Sequence, residues 1–296
     1  MIIDSHQHVW DLTSADYPWL GPELSPINRT IDLAECLPSM SAAVVGGTVL
    51  VQAADNAEDT EHLIRTADEH PQVVGIVAWV PLDRPDVAAR MLADSGSDRR
   101  VVGVRNLLHA RPDPAWVVSE RVDEGLGVLE AAGKTFDYVT GGPAALVHLP
   151  VISSRHPDLP IVIDHLGKPP IGRAAAARAE WLGLLRTAAE NPRVFAKVSG
   201  LYSSVGDLGQ WTVDAVRPFF DDALDVFGPS RLMFGSDWPI SLLAGGYERT
   251  WSAVTELTAG LDAGERDAIL GGAATSFYKL DPDVLSGARA ARKGTP

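Results

Sequence analysis

The 296-residue chain predicts a (β/α)8 barrel. Three observations carry that expectation: eight short β-branched runs, helix-period stretches between them, and polar side chains at the runs' C-terminal ends. The strand-like runs cover residues 2–3, 48–53, 73–80, 101–105, 135–139, 161–164, 194–198 and 232–235. Most read as continuous Val/Ile segments, as strands buried on both faces do. Eight βα alternations in roughly 250 to 300 residues suit one barrel. A doubly wound open sheet is the main rival, but no Gly-rich phosphate fingerprint follows the first run.

Each element has its own warrant. Met1-Ile2-Ile3 is a short apolar strand leading into Asp4-Ser5-His6-Gln7-His8. His6 and His8 share parity, so they leave the strand end on one side. Val122, Leu126 and Leu129 recur at helical spacing after strand four, and Val216, Phe220, Ala223, Leu224 and Phe227 form a broader stripe after strand seven. Val254, Leu257 and Leu261 repeat the period after the last strand. No linker or repeat divides the chain, so one domain is expected over 1–283. The basic, small-residue stretch 284–296 is expected to be a frayed tail.

Composition narrows the partners. A hydrophobic share of 46% supplies a core, while a net charge of −14 and a pI near 4.9 argue against nucleic acid and anionic membranes. A small-molecule substrate is the expected partner, and self-association stays open. The single cysteine, Cys36, excludes an intrachain disulfide and fits a reducing cytoplasm. The N-terminus lacks the basic and apolar segments of an export signal, and no apolar run reaches ~18 residues.

A barrel places functional side chains just after strand C-termini. His6 and His8 follow strand one, Gln52 ends strand two, Trp79 strand three and Arg105 strand four. Asp137 and Tyr138 lie on strand five, His165 follows strand six, Lys197 and Ser199 end strand seven, and Asp237 follows strand eight. Burying so many polar groups without partners is costly. His6, His8, His165 and Asp237 are therefore expected to converge on one site, as metal ligands or as water-activating groups.

The blocks "IIDSHQHVWD", "VVGVRNLLH", "IVIDHLGKPPI", "FAKVSGLY" and "RLMFGSDWPIS" resemble the amidohydrolase superfamily. More narrowly they resemble its amidohydrolase-related branch, rich in sugar-lactone and pyrone-dicarboxylate lactonases. The resemblance implies an amidohydrolase-type barrel that opens a cyclic ester. It also implies a metal-binding and water-activating core at His6, His8, His165 and Asp237. Binuclear members carry a bridging Lys or Glu on strand four and a His on strand five. This chain has Arg105 on strand four, and residues 135–139 contain no histidine. A bridged pair is thus not expected; one zinc or manganese ion fits, and some lactonases of the branch need none.

The expected chemistry makes Asp237 the general base on a water, with Asp237 or His165 returning the proton to the leaving alkoxide. Asp164, adjacent to His165, is expected on the opposite face, as a supporting or helix-facing group. Arg105 is the candidate clamp on a carbonyl or carboxylate. Trp79, Tyr138 and Trp238 offer flat faces for a sugar-like ring, although packing accounts for each of them too. Lys168 either enters the pocket or caps its loop, and the stretch holding Trp10, Tyr17 and Trp19 either lids the barrel mouth or covers a helix layer. The expected substrate is a small aldonolactone. The alternatives are a pyrone or muconolactone-type dicarboxylate lactone, a metal-dependent nonoxidative decarboxylase on the same barrel, or a non-catalytic ligand-binding member.

Overall fold

The computed structural model of the protein describes residues 1–96 and 98–293. Eight parallel strands follow one another in sheet order: β1 (Ile2–Gln7), β2 (Val45–Val51), β3 (Val73–Ala78), β4 (Val101–Arg105), β5 (Thr135–Tyr138), β6 (Ile161–Ile163), β7 (Val194–Val198) and β8 (Leu232–Phe234). The ring closes where β8 returns to β1: Gln7 and Trp238 form a parallel bridge, and the Asp237 N–H donates to the His6 carbonyl at 2.8 Å. The expected barrel is present, and most strands coincide with their expected runs; β1 is longer than the expected 2–3 and runs through His6 to Gln7, and β2 starts at Val45 and ends at Val51 rather than covering 48–53.

Helices pack outside the ring as their periods require. Helix Glu120–Ala131 buries Val122, Leu126 and Leu129, and helix Val213–Phe227 buries Val216, Phe220, Ala223 and Phe227. Among the described residues no helix is long and apolar enough to cross a membrane.

The barrel has two ends of different character. Ile3, Val49, Val51, Val77, Val162 and Met233 form an apolar floor with Phe277, Tyr278 and Leu280 from the C-terminal segment. The frayed-tail expectation is corrected here. Residues Pro282–Lys293 are a helix, with Leu285 and Ala288 buried on that floor. Their i, i+3 spacing makes an apolar face, and burying such a leucine contributes about 1.5–3 kcal/mol. Basic residues on the other face hid that stripe; Arg292 donates to the Val44 carbonyl at 2.8 Å. Residues 294–296 lie outside the described residues.

Candidate active site

Polar side chains fill the opposite, C-terminal end. His6 and His8 leave β1 together, as their parity requires, with ring centroids 4.8 Å apart; the His165 ring stands 4.7 Å from His6. His165 enters from an unusual backbone. Residues 165–168 all have positive φ (54, 50, 70 and 54°), a left-handed turn directly after β6. Such a conformation costs roughly 1–2 kcal/mol for each non-glycine residue. It is held by the Trp181 indole N–H donating to the Leu166 carbonyl and the Lys168 N–H donating to the His165 carbonyl. Strain of this kind concentrates at functional sites.

Asp237 is the hub. Its Oδ1 lies 3.5 Å from His8 Nε2 and 3.7 Å from His6 Nε2, while its Oδ2 accepts the Tyr202 hydroxyl at 2.8 Å. Two glycines permit this crowding. A Cβ on Gly200 would stand 2.5 Å from His165 Nδ1, and one on Gly235 would stand 2.5 Å from the His6 Cβ. Burial alone would raise Asp237, but His165, His8 and His6 around it hold the carboxyl well below its usual range. Burial pushes all three imidazoles down, toward the neutral form.

The tautomers follow from partners. His8 Nδ1 meets the Val51 carbonyl at 2.6 Å and so carries the proton, which leaves a lone pair on Nε2 facing the Asp237 carboxylate. Two acceptors that face each other call for a cation or a water proton between them. One ligand atom each from His6, His165 and Asp237 lies within 4.8 Å of the others. Two imidazoles and a carboxylate, with His8 alongside, are the nitrogen and oxygen donors that a zinc-type ion takes.

Under the histidines runs a buried charge network. Lys197 Nζ donates to Asp137 Oδ2 at 2.5 Å, lies 3.1 Å from Asp164 Oδ1, and stands 3.0 Å from His6 Nδ1. Tyr278 reaches up from the floor and donates to Asp137 at 2.7 Å. Arg105 donates through Nη1 to Asp164 Oδ2 at 3.1 Å and through Nη2 to the Gln52 carbonyl.

The pocket over Asp237 has a volume of about 160 Å³. His8, Arg105, His165, Lys168 and Asp237 line it, joined by Trp19, Leu107, His109 and Ser203. Several expectations are therefore corrected. Trp79, Tyr138 and Trp238 do not line the pocket. Trp79 is half-buried directly after β3, the Tyr138 hydroxyl donates to the Ala145 carbonyl, and buried Trp238 presents its carbonyl to the His8 N–H. The aromatic wall is Trp19 instead, its indole N–H anchored on the Ala53 carbonyl at 2.7 Å. Trp19 of the long connection thus lines the pocket, while Trp10 and Tyr17 turn into the core. Asp164 is not helix-facing. Val162 packs in the barrel interior, so Asp164 two residues on points inward, and the left-handed turn brings His165 to the same side. Arg105 is spent largely on Asp164 and Gln52 rather than left as a clamp.

Sequence reasoning did not find Tyr202, Ser203 or His109. All three lie in βα loops a few residues beyond a strand end, and searching whole loops instead of strand termini would have reached them. Ser199, just past the end of β7, meets His165 Nδ1 at 2.9 Å and orients that ring.

Fold and site together define a barrel hydrolase with a carboxylate–imidazole centre built to activate water. The chain belongs to the amidohydrolase family, whose pattern matches residues 3–280 and so spans every residue of that centre. Two L-fucono-1,5-lactonases are similar along nearly the whole chain. The protein from Burkholderia multivorans is 34% identical over 94% of this chain and 96% of its own length. The one from Burkholderia ambifaria is 35% identical with the same coverage. A crystal structure of a Burkholderia multivorans amidohydrolase with bound zinc superimposes with a TM-score of 0.87 at 32% identity, covering 95% of this chain and 100% of that one.

Proposed function

We propose that the protein opens a small sugar lactone, an aldono-1,5-lactone of the fuconolactone type, to its hydroxy acid. The observation that carries this reading is the one-third identity to two lactonases over 94% of the chain. The pocket supports a neutral ring. Of its two Lys/Arg side chains, Arg105 is paired with Asp164, so a dicarboxylate would meet only Lys168 unpaired. A free, buried Cys36 fits work in the cytoplasm.

Asp237 acts as the general base. Tyr202 occupies Oδ2, which leaves Oδ1 beside His6 and His8 to take a proton from water. The water oxygen bonds to the lactone carbonyl carbon, the bond from that carbon to the ring oxygen breaks, and Asp237 returns its proton to the freed alkoxide. Trp19 supplies an apolar wall and shields the ring from solvent. His6, His165 and Asp237, with His8, would hold a divalent ion, zinc by analogy with the relative that binds it. When bound, the ion supplies Lewis acidity and brings water toward a pKa of ~7, which suits a base as acidic as Asp237.

Two assays test the reading. A panel of aldonolactones in a pH-indicator assay is expected to give saturable acid release, highest on six-membered sugar lactones. Turnover of a pyrone dicarboxylate with no sugar lactone accepted would move the substrate class, and carbon dioxide release from aromatic acids would replace hydrolysis by decarboxylation. Elemental analysis is expected to find at most one equivalent of divalent metal per chain. A second ion would lack a bridge and a ligand, since β4 ends in Arg105 and β5, Thr135–Tyr138, holds no histidine. Two equivalents would overturn the mononuclear assignment.

A further inference from the structure

We propose that Lys168 is a catalytic residue: its ammonium hydrogen-bonds the ring oxygen of the bound lactone and stabilises the negative charge that gathers there as the ring opens. This assignment rests on the lactonase reading and adds to it a residue for the leaving group.

Partner accounting leads to Lys168. Of the polar side chains lining the pocket, Arg105, His8, His165 and Ser203 already have hydrogen bonds, which leaves His109, its imidazole pushed down to about 4 by burial and so neutral, and Lys168, the remaining cation. Arg105 gives Nη1 to Asp164 and Nη2 to the Gln52 carbonyl, and only its enclosed Nε lacks a partner. His8 gives Nδ1 to the Val51 carbonyl and His165 meets Ser199, while Ser203 donates to the Gly200 carbonyl at 2.7 Å. Asp237 faces the imidazoles. Lys168 lines the same pocket, is largely shielded from solvent, and has no side-chain hydrogen bond or ion pair among the described residues. Only the Asp237 charge acts on it from across the pocket, with no direct ion pair, and an ammonium so placed beside a reacting centre can stabilise charge that appears during the reaction.

The backbone gives the second, independent observation. Lys168 ends the left-handed turn that begins at His165, at φ 54°, a conformation that a lysine rarely adopts. The Lys168 N–H is tied to the His165 carbonyl at 2.9 Å, so one strained turn fixes both side chains relative to Asp237.

The electron count is simple. As the tetrahedral centre collapses, the pair of the breaking carbon–oxygen bond stays on the ring oxygen. Lys168 holds that oxygen by a hydrogen bond and keeps its own proton, and Asp237 delivers the proton that it took from water. Lactone and water become hydroxy acid, with nothing else consumed.

The test compares Lys168→Met with Lys168→Arg on the best aldonolactone found for the wild-type protein. Removing an oxyanion-type donor typically costs 10²–10³ in kcat, so Lys168→Met is expected to lose ~100-fold in kcat with KM within ~3-fold, and Lys168→Arg to recover ~10-fold of that loss. Zinc affinity, measured by competition with a chromophoric chelator, and the melting temperature are expected to stay at wild-type values in both variants. A kcat within ~3-fold of wild type, a loss confined to KM, or an equal loss in Lys168→Arg overturns the assignment and leaves the lactonase reading standing. A wild-type protein inactive on every aldonolactone overturns both.

Discussion

Replacing Asp237 by Asn is expected to lower turnover by at least ~100-fold with the fold intact, the range that general-base catalysis contributes. The substitution is unusually clean at this position. Asp237 sits at φ 55°, a left-handed conformation in which Asn is among the best-tolerated residues, so the backbone keeps its place. The side-chain amide has the same shape, and its oxygen still accepts the Tyr202 hydroxyl. What disappears is the negative charge between His6 and His8 and the site that accepts the proton. Steady-state kinetics beside a thermal melt separate these effects. Near-normal turnover would move the base to a histidine; a collapsed melting curve would give Asp237 a structural role instead.

The fold was legible because barrel strands are buried on both sides. Continuous apolar runs such as 73–80 and 161–163 are costly to leave in water on either face, so they belong inside a covered sheet, and helix Val213–Phe227 shows its inward stripe directly. The C-terminal helix was not legible. Its face is two buried residues, Leu285 and Ala288, among alanines, arginines and a glycine, and it forms because the barrel floor offers a surface to cover. Local composition carries no record of such a tertiary partner.

The site divides along the same line. His6, His8, His165 and Asp237 were visible as reactive types at strand ends. Which way neighbouring side chains point was visible only where the strand stays regular. At β6 it does not: the strand stops at Ile163 and the left-handed turn brings His165 to the same side as Asp164, so counting alternation back from His165 put Asp164 on the wrong face. Aromatic residues misled for another reason. Trp79, Tyr138 and Trp238 flank the strand ends in sequence, yet packing claims them, and the wall of the pocket comes from Trp19 in a loop whose path depends on the Ala53 carbonyl. Tyr278 lies 141 residues from its partner Asp137 and only the closed barrel brings them together.

Lys197→Met is expected to be the most destabilising single change in the barrel interior. Lys197 is fully buried between Asp137 and Asp164, both fully buried as well, and methionine fills nearly the same volume without the charge. Breaking a buried pair by deleting one partner typically costs 3–5 kcal/mol, because the remaining charge stays uncompensated; on a domain of this size that lowers the melting temperature by on the order of 10 °C. The loss depends on pH in a defined direction. Burial raises Asp137 to about 6 even with Lys197 opposing it. Burial would raise Asp164 too, but Lys197, His6 and Arg105 hold it well below its usual range. Without Lys197 both folded-state values rise, while the unfolded values stay near ~4. The deficit therefore grows as pH rises from ~4 through the variant's raised folded-state values, which lie above about 6 for Asp137, and shrinks as pH falls toward ~4, where the carboxyls become protonated in folded and unfolded states alike. Melting curves at pH 8 and pH 5 are expected to show a wide gap between variant and wild type that narrows at the lower pH. A gap that widens on acidification would mean that Lys197 does not hold these carboxylates as anions, and the tie from Tyr278 through Asp137 to His6 would have to rest on hydrogen bonds alone.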